Sequence, residues 1–331
     1  MYSHVKREVQ ELGNGLFAYV QGDGSWGWSN SGLIESEGEC LLVDTLFTGR
    51  LTSDMLEAYR HAVPASEKID ILVNTHANGD HTFGNHLVKG ARIIGSTACA
   101  DEMEERTAEE FAGMMKNWRE NGRLGDFMHE TMGVKFDFSD VKHVPPTELF
   151  DGRKDLSIGG RKVELHEVGP AHTRGDILVR VPDAKTVFTG DILFSGGHPI
   201  MWAGPISNWI EACELILTWD VDVVVPGHGP VGDKAAVRGL RDYLTHIRDE
   251  TALRYNAGLP WDEAAYDVGY AAFDSWIDRE RVVANVAAVY GELSGGKIQP
   301  TMEEIMNQML RYRHGAECPH DEPCACHSRK A

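Results

Sequence analysis

Residues 74–85, N-T-H-A-N-G-D-H-T-F-G-N, constrain this chain more than any other segment. An apolar run over 69–73 stops at His76, Asn78, Asp80 and His81, and Gly79 and Gly84 supply the bends that let those side chains converge. Imidazole and carboxylate are the ligands that zinc and similar cations take from proteins, and a catalytic site keeps a further position open for water. Taken alone, the same stretch also reads as a polar turn after a buried strand, with its histidines satisfied by hydrogen bonds. A short motif needs a context that agrees with it.

Three later segments supply that context: His172 in G-P-A-H-T-R-G-D, Asp191 in F-T-G-D-I-L-F and His228 in V-V-V-P-G-H-G-P. Each follows or closes an apolar run of strand length. Arriving in this order after H-x-N-x-D-H, they resemble the metallo-β-lactamase superfamily, from about Gly13 to about His228. The resemblance implies an α/β chain folded as an αββα sandwich. By motif position it assigns His76, Asn78 and His172 to a first metal pocket and Asp80, His81 and His228 to a second, with Asp191 bridging. It also gives Asp44, in L-L-V-D-T, a role behind the ligands, beside its plainer reading as a turn residue.

Short apolar runs split by glycine-bearing turns fill the chain from residue 12, over 16–20, 31–34 and 40–44, and recur over 156–158, 163–168, 177–181 and 187–189. An amphipathic helix is expected over 50–62, with Leu51, Met55, Leu56 and Tyr59 on one stripe and Pro64 stopping it. Residues 97–121 read as one long helix, part of a Met- and aromatic-rich insertion over about 97–140 that either packs on the sandwich or forms a lid over the metal site. Residues 1–230 thus form the sandwich domain. Residues 231–315 form a C-terminal helical extension, whose helices are packing elements or the surface of a homodimer. The segment 316–331 holds Cys318, His320, Cys324, Cys326 and His327 without the spacing of a structural zinc module, and is expected to be a mobile tail.

Composition narrows the partners. Thirty-two basic against fifty-one acidic residues give a formal charge of −19, which disfavours phosphate backbones and anionic membranes. The first residues lack an apolar h-region and no stretch approaches the ~20 apolar residues of a membrane span. Cys40, Cys99 and Cys213 stand apart in apolar surroundings, as free thiols do in a reducing compartment. The expectation is a cytoplasmic protein acting on a small molecule, with no nucleic acid and no membrane.

Asn78 is the departure from the family pattern, since most members carry a second histidine there. An amide oxygen is a poorer zinc donor than imidazole. The expectation is one zinc ion, or a lopsided pair, with the second pocket complete. Zinc lowers the pKa of its water to about 7, so a metal-bound hydroxide becomes available for hydrolysis. Asp80 and Asp191 would move its proton, and the Asn78 amide, or His76 or His172 if left unmetallated, would steady developing negative charge. The expected pocket wall is Trp26, Trp28, Phe194, Met201 and Trp202, which suits a largely uncharged organic substrate. A single complete second pocket also resembles the hydrolytic aryl dehalogenases that act on chlorothalonil. Esterases, lactonases, thioesterases and β-lactamases share the apparatus, and a metal-containing binding protein without turnover is the reading from another class.

Overall fold

In the computed structural model, which describes residues 6–315, successive residues of one strand serve two different cores. Leu41 and Val43, Ile71 and Val73, and Ile94 point into a layer between two sheets, whereas Cys40, Leu42, Leu72 and Ile93 point outward under helices. Period-two alternation with both faces apolar is what a sheet covered on each side requires.

The first sheet runs β1 (Arg7–Gly13), β2 (Leu16–Gln21), β3 (Ser31–Ser36), β4 (Glu39–Val43), β5 (Ile71–Val73), β6 (Arg92–Ser96) and β7 (Glu148–Phe150) in spatial order. Its first four strands are antiparallel and the remaining pairings are parallel. Sequence reading placed no strand at β1, because R-E-V-Q-E-L-G is mostly polar; it survives as an edge strand, where charge deters further pairing. Helix α1 (Gly49–Ala62) buries the expected stripe and is capped by the Thr48 hydroxyl, which accepts from the Leu51 N–H. A single turn, α2 (Gly79–Thr82), carries Asp80 and His81 of the ligand motif.

The insertion differs from expectation. It is not one long helix but α3 (Thr97–Glu105), α4 (Ala108–Lys116) and α5 (Gly122–Met128), the last continued by a π-helical turn over His129–Gly133. Arg106 is extended, and Thr107 and Glu110 close a reciprocal capping box that starts α4 afresh. The T-x-x-E signature of that break stands in the sequence, where the apolar periodicity overrode it.

The second sheet comprises β8 (Arg153–Ile158), β9 (Arg161–Glu167), β10 (Ile177–Val181), β11 (Thr186–Phe188) and β12 (Val223–Val225), with β11 and β12 parallel. Helix α6 (Ile206–Thr218) packs against α7 (Lys234–Asn256). They are followed by α8 (Trp261–Asp267), the nearly enclosed α9 (Val282–Leu293), and α10 (Met302–Arg313), which packs on α5 and α9. Two sheets with helices on both outer faces make this the αββα sandwich. Cys40, Cys99 and Cys213 are buried free thiols, and the Cys/His cluster of 318–327 lies outside the described residues. Among the described residues no helix is long and apolar enough to cross a membrane.

Candidate metal centre

The ligand residues all emerge at one end of the two sheets. Asp44 follows β4, His76 to His81 follow β5, His172 sits between β9 and β10, Asp191 follows β11 and His228 follows β12. Close backbone approach makes this possible: a Cβ on Gly227 would lie 2.0 Å from Asp191 Oδ1, and one on Gly190 (φ +49°) 2.3 Å from the Thr75 hydroxyl.

Each imidazole has its Nδ1 engaged away from the centre. His76 Nδ1 lies 3.0 Å from the Thr75 hydroxyl, His81 Nδ1 2.9 Å from Asp44 Oδ2, His172 Nδ1 2.6 Å from the Ile200 carbonyl and His228 Nδ1 3.1 Å from the Gly24 carbonyl. Asp44 is fixed in turn by the Thr75 N–H and hydroxyl, at 2.7 and 2.6 Å. The outward Nδ1–H leaves each Nε2 facing the centre. Those four nitrogens stand 3.1 to 3.7 Å from Asp191, with His81 nearest and His76 farthest, and His228 Nε2 is 3.3 Å from Asp80 Oδ2.

The result is a buried set of acceptors facing acceptors. His76 Nε2, His81 Nε2 and Asp191 Oδ1 are enclosed without a hydrogen-bond partner. Something positive must sit among them, a proton or a cation. Burial works against charge on His81 and His228, yet the Asp191 carboxylate outweighs it, holding His81 well above the usual imidazole range and His228 up at about 9. Burial likewise opposes ionisation of Asp80, but His228 and His81 hold it at about 2, and the surrounding imidazoles keep Asp191 well below its ordinary value. Burial and the neighbouring positive His81 push His76 down, and burial lowers His172 despite Asp191 beside it. The same charges that hold these protons would hold a divalent cation, and its uptake would release them. Three triads have donor atoms close enough to share an ion; in one, Asp44, His76 and His81, the Asp44 carboxylate is already taken by His81 Nδ1 and Thr75, and the two that remain are His76, His172 and Asp191, and Asp80, His81 and His228. The residues therefore fit a metal.

Asn78 lies at the first triad, its amide nitrogen 3.2 Å from His172 Nε2. Donating there, it occupies the lone pair that a metal in that triad would need.

A cavity of about 460 Å³ opens onto Asp80, Asp191, His172 and His228. Of the wall expected from sequence, Trp26, Phe194 and Trp202 line it. Trp28 and Met201 are corrections. Trp28 packs on Phe136 with ring centroids 4.7 Å apart, and buried Met201 is held by its backbone N–H to Asn285 Oδ1 at 2.9 Å. Residue type alone did not say which side of the loop each faced. The insertion lines the cavity through Met103, Phe111, Leu124, Met128 and Met132. Sequence reasoning missed Arg281, Met302 and Met306, which reach the same cavity from α10 and the turn before α9. Arg174, the basic group beside His172 in sequence, turns outward to Glu105 and Glu102.

The sequence profile of the metallo-beta-lactamase superfamily matches residues 24–228. Among curated relatives, the metallo-beta-lactamase type 2 of Bacillus cereus is 23% identical over 222 residues, covering 65% of this chain and 73% of that protein. The acyl-coenzyme A thioesterase MBLAC2 of Gallus gallus is 25% identical over 235 residues, covering 66% and 78%. Among solved structures, the stereoselective inverting sec-alkylsulfatase Pisa1 from Pseudomonas sp. superposes with a TM-score of 0.65 at 16% identity, over 89% of this chain and 52% of that one, a likeness of fold.

Proposed function

Because the chain belongs to the metallo-beta-lactamase superfamily and is one of its metal-dependent hydrolases, we propose that one zinc ion in the second triad with Asp191 serves hydrolysis of a small, largely uncharged apolar or aromatic substrate. The observation that carries this is the convergence of imidazole Nε2 atoms and carboxylates, of which His76 Nε2, His81 Nε2 and Asp191 Oδ1 are buried without a hydrogen-bond partner. Zinc bound there supplies Lewis acidity and an acidified water.

The chain's own groups do the rest. Asp80, His81, Asp191 and His228 would be the ligands, and Asp44 fixes the His81 ring so that its Nε2 stays on target. Asp80 and Asp191 are ionised and placed to accept a proton and return it to a leaving group. Asn78 Nδ2, held 3.2 Å from His172 Nε2, can donate to an oxygen on which negative charge develops. Trp26, Phe194 and Trp202 with the methionines of the insertion exclude water and hold an apolar group. Resemblance to aryl dehalogenases favours an electron-poor aryl halide, while the thioesterase relative favours a thioester.

Turnover screened over aryl halides, esters, lactones, thioesters and β-lactams at defined zinc content decides among them. Asp80→Ala and His228→Ala should lose activity together with metal. A fully loaded protein that turns over none of these compounds would instead support the non-catalytic binding reading, for which the amide at Asn78 is the motive.

A further inference from the structure

The cavity wall is tied to the C-terminal helices by a buried polar device that the chemistry above does not use. Trp26 lines the cavity, and its indole N–H donates to Glu280 Oε1 at 2.9 Å. The same oxygen accepts from Arg313 Nη1 at 2.7 Å, although Glu280 is only 4% exposed. Arg281, 2% exposed, lays its guanidinium 4.3 Å over the Trp26 ring and 5.2 Å over Phe194, a ring that in turn stacks on His228 at 5.0 Å and 5°. Its Nη1 donates to the His198 carbonyl at 3.0 Å and its Nη2 pairs with Asp278 at 2.9 Å. A carboxylate and a guanidinium group buried in an apolar wall are costly unless each has partners, and the exposed Arg313 reaches in from α10 to supply one of them. Their partners here are the aromatic wall and the helix α10, which carries Met302 and Met306 into the cavity.

We propose that Glu280, with Arg281 and Arg313, is a positioning latch that sets the bore of an apolar binding arm formed by Trp26, Met128, Met132, Met302 and Met306, and so selects substrates by an elongated alkyl or aryl group remote from the reacting bond. The proposal rests on the hydrolase reading for its word substrate, not for the arm itself. Thioethers are deformable, so on their own they would accept many shapes. The bore is fixed because Trp26 is held on its N–H by Glu280 and on its face by Arg281, while Arg313 draws α10 to the same carboxylate. Removing the carboxylate frees the indole and α10 together. The ligands are untouched, because neither Glu280 nor Arg313 contacts them.

The test uses the full chain loaded with zinc and titrates it calorimetrically with 1-octanol, which needs no turnover. Glu280→Ala should weaken octanol binding about tenfold or more, the size of one lost hydrogen bond to a charged group, at unchanged metal content. Glu280→Gln keeps an acceptor for the indole and should recover most of the affinity, and Arg313→Met should fall between. With a hydrolysed long-chain substrate in hand, KM should rise by the same factor while kcat stays within about twofold. No octanol binding by the wild type, unchanged affinity in Glu280→Ala, or loss of metal in step with affinity would each overturn the latch; should Glu280→Ala not fold, the Gln and Arg313→Met variants decide. Octanol binding without any hydrolysis in the screen would overturn the hydrolase reading and leave the arm standing.

Discussion

At the scale of single residues the centre turns on two side chains that a ligand count would overlook. Asn78 donates to His172 Nε2 and thereby holds the first triad short of an imidazole and closed by a hydrogen bond. The unmodified protein should therefore carry nearer one zinc than two after dialysis, and Asn78→His should raise that towards two, since His76 and His172 already converge there. Metal analysis of both proteins checks this; two tightly held ions in the unmodified chain would refute it. Asp44 acts from behind. It accepts from His81 and from Thr75 twice, and burial pushes its pKa up against those bonds. Its backbone is left-handed (φ +61°), a conformation that aspartate tolerates better than most residues. Asp44→Ala should free the His81 ring and cut zinc affinity by about 10- to 100-fold, measured by competition with a chelator. Equal affinity would return Asp44 to the role of a plain turn residue.

At the scale of elements, the insertion and the C-terminal helices share one cavity. The insertion supplies apolar lining through α3, α4, α5 and the π-helical turn, yet no ligand to either triad. Replacing 106–140 by a short loop should raise KM by at least about tenfold with little change in bound metal; metal lost in equal proportion would make the segment scaffolding. This division also explains what the sequence discloses. The ligand stretches are legible because a strand end in polar surroundings is a local pattern, and H-x-N-x-D-H, Asp191 and His228 are read where they stand. The insertion is legible in part, since Met and aromatic residues at helical spacing announce an apolar face but not the break at Arg106. The latch is not legible at all. Trp26 and Glu280 meet across 254 residues, and Glu280, inside R-E-R, looks like a solvated charge until the fold buries it.

At the scale of the whole molecule, the helices beyond residue 230 hold the sandwich's own substrate-side loop in place. Asn285 accepts from the Met201 N–H and donates to the Pro199 carbonyl at 2.9 Å, Arg281 donates to the His198 carbonyl, and the His198 ring sits 3.0 Å from the Tyr243 hydroxyl among Tyr243, Tyr270 and Trp276. Burial in that aromatic cage, with Arg281 and Arg279 adding like charge, pushes the His198 pKa down to about 3. The unfolded chain binds the same proton with a pKa of about 6.5. Between those values the unfolded state holds more protons, so stability is intact above about pH 6.5 and falls as pH drops towards 3. The loss is at most about 1.4 kcal/mol per pH unit from this one group. His198→Gln removes the titration while keeping a polar side chain near Tyr243. Measured as urea midpoints from pH 7 to pH 4 with chelator present, so that metal release enters neither curve, the variant should start less stable and lose stability less steeply than the wild type. The two curves converge or cross in acid if the joint between loop and helices unfolds with the rest of the molecule. Parallel curves would mean that protonated His198 is accommodated in the folded chain, with the loop and helices parting locally before the sandwich gives way.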